Sequence, residues 1–230
     1  MIYFDDIFER AIKLFDDPDI SRNYYYDPAN YQSIMSGFLM IGRNKFTHPT
    51  AVTDKLSEID GPEGKEEIID GTGTDTYVLE SQPKPHSGFT FRINGEIVQG
   101  TYDAEASAVT FERAVNEGET CSVAWFYAGA FTADFSTCFR ADFSMSVIMD
   151  KIINILAYAI LSSWGDKEVG RVLEVRNILT DTDFKMYSPA NSAKAKVEWR
   201  NQMNRDMDTL SVDLNWRIFS TPTGGSRFGR

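Results

Sequence analysis

Two histidines and two cysteines are all that this 230-residue chain offers for imidazole or thiolate chemistry. Acyl transfer through a Ser or Cys nucleophile needs a histidine or an equivalent base beside it. His48 stands in "THPT" and His86 in "KPHSG". Both stretches read as loops, where a histidine is ordinarily a surface residue. Cys121 and Cys138 lie outside any CxxC spacing, so a zinc site is not expected. Free thiols in a reducing compartment are the expectation. "DGTGTDT" at 70–76 spaces its acids faintly like a calcium loop but lacks the closing glutamate, and no GK[ST] follows it to cradle phosphate. With 34 Asp and Glu in the chain, sheer abundance selects no pair as a glycosidase dyad. Trp125, Phe126 and Tyr127 adjoin, and an exposed aromatic face stacks on sugars; a small sheet needs the same residues for its own core, which is the favoured reading. No catalytic, cofactor-binding or metal-binding residue is assigned, and an enzyme is the weaker expectation.

The formal net charge of −11 excludes general electrostatic attraction to nucleic acid. The charge is uneven. Residues 185–230 carry eight Lys/Arg against four Asp/Glu, a net of +4, which leaves −15 for residues 1–184. Lys194, Lys196, Arg200 and Arg205, with Arg227 and Arg230 beyond them, are therefore candidate contacts to a neighbouring copy or another partner. The alternative is a solvated helix of mixed charge.

The elements that must position these groups follow from periodicity. Phe4, Ile7, Phe8, Ala11, Ile12 and Phe15 recur at intervals of three and four and predict an amphipathic helix, ended by "DDPD" at 16–19. Asp27 as N-cap and Pro28 at the first position predict a second helix, with Tyr31, Ile34, Met35, Phe38 and Leu39 on one stripe and Gly42 at its end. Residues 47–75, rich in Gly, Pro and acids, read as a connecting segment with a helical turn near 53–58 and one short strand at 66–69. From Thr76 the period becomes two, and short β-branched and aromatic runs predict an antiparallel β module over 76–132. "NG" at 94–95 marks one hairpin, and "AVTFERAVNEGETCSVAWFYAG", Ala108 to Gly129, reads as the last. Residues 133–143 are ambiguous. Met145 to Trp164 predicts a buried helix stopped by Gly165. Its clean apolar run, Ile155 to Leu161, is far shorter than the roughly 20 residues of a membrane span. A shorter helix follows over 167–179. Another starts at Ser188–Pro189, with Trp199, Met203, Met207, Leu210 and Leu214 as its seam.

The expected fold class is α+β: a helical body with long amphipathic helices at both ends and an inserted small antiparallel β-sandwich. Its units are N-terminal helices 1–46, connector 47–75, β module 76–132, C-terminal helices 133–219 and a basic tail 220–230. The ends of an inserted module should lie close together.

Three stretches carry a family resemblance. The strand–turn–strand from Ala108 resembles a pattern common in virion proteins of tailed bacteriophages. "ILTDTDFKMYSPANSAKAKVEWRNQMNRD", Ile178 to Asp206, resembles the C-terminal region of phage neck or head–tail connector proteins, and "DDIFERAIKLFDDPDI" is similar to connector openings. The resemblance implies a structural virion protein, assembled in the host cytoplasm, that forms a homo-oligomeric ring, often of twelve copies. It implies as partners the portal protein and tail or other neck proteins, and genomic DNA passing through the lumen without specific binding; no cofactor and no membrane partner are implied. A tail or baseplate component, a carbohydrate- or receptor-binding module and, third, a hydrolase stay open at this point.

Overall fold

A computed structural model describes residues 1–15, 18–140, 142–179 and 189–218. The chain opens with β1 (Ile2–Tyr3) and α1 (Phe4–Ile12), and α1 buries Phe4, Ile7, Phe8 and Ala11 as its periodicity requires. An unexpected helix follows, α2 (Pro18–Tyr26). Proline ends one helix but also opens the next, because a first helical residue needs no N–H donor. In α3 (Pro28–Gly42) the Asp27 carboxylate accepts the Asn30 N–H at 3.4 Å, with Pro28 in the first turn. Tyr31, Met35 and Leu39 are buried, whereas Ile34 faces solvent.

The segment 47–75 is more than a connector. It holds α4 (Thr50–Thr53) and a 3₁₀ turn at Asp54–Ser57, then β2 (Ile59–Asp60), β3 (Glu63–Asp70) and the start of β4 (Thr74–Val78). The strand-rich region therefore begins near residue 59, ahead of the β-module boundary expected at 76. β3 contains the short strand expected at 66–69 and is longer, because the composition "EGKEEIID" understates an edge strand that buries little: only Glu67 is buried and Ile69 partly so.

Next come β5 (Gly88–Ile93), β6 (Glu96–Val98), β7 (Gly100–Asp103), β8 (Ala108–Val115) and β9 (Thr120–Tyr127). Two antiparallel sheets result, ordered β3-β9-β5-β6 and β4-β8-β7. Their facing sides share one apolar cluster of Leu79, Phe91, Ile93, Val109, Phe111, Val115, Cys121, Val123 and Trp125. The Asn94–Gly95 turn forms as expected: Ile93 pairs with Glu96, and φ is 52° and 84° at the two turn residues. The supposed last hairpin is not one. β8 and β9 belong to different sheets, and the turn at 116–119 arches between them. Alternation fixes which side chains face inward on each strand, but not which strand lies alongside.

β10 (Ala130–Phe131) runs between β1 and β2, pairing Phe131 with both Ile2 and Ile59. The entry and exit of the strand-rich region therefore lie side by side, at the start of the N-terminal helix. The ambiguous segment becomes a 3₁₀ turn at Phe135–Cys138, and Phe131, Phe135 and Phe139 are all fully buried.

One helix, α5 (Met145–Leu179), replaces the two expected around Gly165. Gly165 is a contact rather than a stop: a Cβ there would lie 3.0 Å from the Trp199 ring and 3.1 Å from the Arg200 side chain of α6 (Pro189–Asn215). Met145–Arg171 is long and apolar enough by composition to cross a bilayer, with half of its most apolar window buried in the protein. Ile152, Ile155, Leu156, Ile160 and Leu161 join the stripe of α1, the buried side of α3, and Met207 and Leu214 of α6 in one large core. Antiparallel sheets beside packed helices make the protein α+β. The N-cap expected at Ser188 and the tail 220–230 lie outside the described residues.

Candidate assembly surface

His86, both cysteines and Ser162 are held by structural contacts, whereas His48 is exposed. His86 occupies φ +67° in the loop before β5; its ring stacks on Tyr3 at 3.7 Å and its Nδ1 lies 2.8 Å from Asp5 Oδ2. It ties that loop to the start of α1. His48 lines a groove of about 440 Å³ beside α6, with Lys45, Asp208 and Val212. Both thiols are free and buried: Cys121 Sγ donates to Ile69 O and Cys138 Sγ to Ala51 O. Burial pushes both thiols up, away from the thiolate form that reactivity needs. The fully buried Ser162 hydroxyl accepts from Lys45 and donates to Asn204 between α5 and α6. Among the described residues no three His, Cys, Asp or Glu side chains converge as metal ligands. Trp125 and Tyr127 are only 5% and 4% exposed, so the stacking platform that a sugar-binding reading needs is internal.

A polar latch, missed by the sequence reading, fixes the outer face of the β3–β9–β5–β6 sheet onto α3. The N-cap carboxylate of Asp27 accepts from Thr90 Oγ1 at 2.6 Å and from the Arg92 guanidinium at 3.3 Å. Thr90 Oγ1 in turn accepts the Ala29 N–H at 3.2 Å. Gln32 Oε1 takes the Gly88 N–H at 3.0 Å, and its Nε2 donates to the His86 carbonyl at 3.2 Å. Gln32 has the sequence signature of an ordinary helical polar residue, so nothing flagged its role. Replacing Gln32 by Ala strands a buried backbone donor and is expected to cost about 1–3 kcal/mol in urea unfolding.

The basic side chains of α6 are divided. Lys196 pairs with Glu168 at 2.6 Å and Arg200 with Asp166 at 3.1 Å, both on α5. These two hold α6 against α5 within one chain. Among the described residues Lys194, 77% exposed, pairs with Glu198 on its own helix at 3.8 Å, and Arg205 donates to Gln202. Arg227 and Arg230 lie outside the described residues. Of the six candidate contacts, Lys194 and Arg205 are thus the described ones facing away from α5-bound partners.

The strongest charge is on the strand-rich region. Residues 59–131 carry thirteen Asp/Glu and four Lys/Arg, a net of −9. All four bases are already paired: Lys65 with Glu67, Lys84 with Asp60 and Glu63, Arg92 with Asp27 and Glu66, Arg113 with Glu119. The edge strands β3 and β4 also present apolar side chains to solvent: Ile68 on β3 is 72% exposed and Val78 on β4 is 73% exposed. On α6, Trp216, just past the helix end, is 80% exposed.

Burial alone would raise the Glu67 carboxyl, but N–H groups of Glu80 and Ser81 and the Lys65 ammonium hold it below the ordinary carboxylate range. Asp166 is likewise lowered against its burial by Lys45 and Arg200. Glu119 is pulled down to about 2 by Arg113 and the Asn116 N–H. A carboxyl lowered in the folded chain stabilises it fully above the unfolded-state value near 4 and loses that contribution as pH falls through the folded value. Unfolding free energy is therefore expected to hold from pH 7 to about pH 5 and fall steadily below about pH 4. Glu67→Gln should be less stable at pH 7 and show a flatter acid limb.

No family model, curated protein or solved structure matches the chain.

Proposed function

We propose that this protein is a non-enzymatic structural component of a tailed-phage virion, a neck or head–tail connector subunit that assembles into a ring joining portal to tail. In this reading the architecture is a helical body carrying an inserted β-sandwich. The observation that carries it is the latch of Asp27, Gln32, Thr90 and Arg92, which holds an acidic module of net −9 in a fixed pose on the helices. A scaffold subunit needs such a rigid, outward-presented surface. His86, both thiols and the Ser162 hydroxyl serve packing or hydrogen bonding. The resemblance of the segments at 5–20 and 178–206 to connector proteins, and of 108–129 to a pattern common in tailed-phage virion proteins, supplies the class.

An acid-rich surface also suits a lumen through which DNA slides without sticking. Mass photometry of the purified chain, alone and with portal complexes, tests the reading. Rings of defined copy number, or incorporation at the portal–tail junction seen by electron microscopy, are the expected results. A chain that stays monomeric at every concentration and joins neither portal nor tail complexes would overturn it.

A further inference from the structure

We propose that segment 219–230 of one copy docks along the free edge of β3 in a second copy. This rests on the ring reading above and names the contact that would close the ring.

β3 pairs with β9 alone, over its full length from Glu63 to Asp70. The backbone groups on its other side have no backbone partner among the described residues. The loop at Glu80–Ser81 reaches β3 through the side chains of Glu67 and Lys65, not through the ladder. An eight-residue edge of this kind is a template for another strand. Its outward face holds Glu66, Ile68 and Asp70, with Ile68 exposed and Asp70 in no ion pair among the described residues. Its acids exclude a second copy of β3 itself, since like charges would oppose one another. They favour an extended segment with basic residues around an apolar one.

Residues 219–230 have that composition: they include Arg227, Phe228 and Arg230 and no acid. Residues two apart share a face in a strand. Setting Phe228 against Ile68 places Arg230 against Glu66 or Asp70, according to strand direction, and Arg227 on the face of Glu67. No other cation of the module competes, because its four bases are paired, and Lys196 and Arg200 of α6 are committed to α5.

The test uses full-length protein, a chain ending at Ile218, and full-length Ile68→Lys, all checked for unchanged far-UV circular dichroism and melting. Full-length protein should assemble in mass photometry, while the shortened chain and Ile68→Lys should not. A labelled peptide of residues 219–230 should bind the shortened chain saturably, lose that binding in about 0.5 M NaCl, and bind the shortened Ile68→Lys chain at least about tenfold more weakly. Assembly of the shortened chain equal to full length overturns the proposal and leaves the ring reading standing. Peptide binding indifferent to Ile68→Lys or to salt also overturns it. If the full-length chain never assembles yet the peptide binds with these dependences, the docking site stands and the ring reading falls.

Discussion

A Phe131→Ala chain is expected to lose about 3–5 kcal/mol of stability, roughly 2–4 °C of melting temperature for each kcal/mol in a protein of this size. Phe131 is fully buried, lies 4.7 Å from the Phe4 ring, and sits on β10 between β1 and β2. Its removal opens a cavity where N-terminal helix, strand-rich region and central core meet, and paired backbones on both sides limit collapse into it. Phe126, on β9 and only partly buried against the same core, provides the comparison, because its truncation removes less buried area and should cost clearly less. Urea titrations of the two variants, followed by near-UV circular dichroism, check this. A Phe131→Ala loss below about 1 kcal/mol would mean that the junction is not part of the cooperative core.

The second large effect concerns α3 against α5. A Cβ built at Gly42 would fall on the Ala159 carbonyl group, 2.7 Å from its carbon and 3.0 Å from Ser163 Oγ. The obstacle is backbone, so no side chain can swing aside, and Gly42→Leu must push the two helices apart. Overpacking of this kind typically costs 1–3 kcal/mol and more where nothing yields; the expected loss is about 3 kcal/mol or greater, with much of the chain insoluble. Gly37 of the same helix has open space around a built Cβ. Gly37→Ala should therefore stabilise by about 0.4–1 kcal/mol through helix propensity and reduced freedom of the unfolded chain. Opposite signs from two glycines five residues apart, read by thermal melting, would tie the effect to close approach.

Where a local rule decides, the sequence was legible. The stripe of α1, the Asp27–Pro28 start of α3 and the Asn94–Gly95 turn all depend on residues within a few positions of one another. The α+β class followed from the change of period near the middle of the chain. What escaped depends on distant partners. Gly165 reads as a stop until α6 is seen lying against it, and β8 and β9 read as a hairpin until each finds neighbours in a different sheet. β3 was expected only over 66–69, because five of its eight residues are charged, which is tolerable only at an edge. The candidate surface divided in the same way: Lys196 and Arg200 stood among the candidate contacts to a partner, but Glu168 and Asp166 on α5 had already claimed them. Gln32 and Thr90, far apart in sequence, gave no sign that they meet.

The pairing of β10 between β1 and β2 bears on how the chain is made. While residues 59–131 are still being added, Phe4, Ile7 and Phe8 of α1 lack a large part of their cover, because α5 begins only at residue 145 and α3 supplies Tyr31 against Phe8. The two facing sheets, complete by Tyr127, can close before the helices do, and β10 then arrives as the clasp that brings α1 home just ahead of its core partners. A nascent chain stalled before α5 should accordingly bind holdase chaperones through its first fifteen residues and release them once residue 161 has emerged.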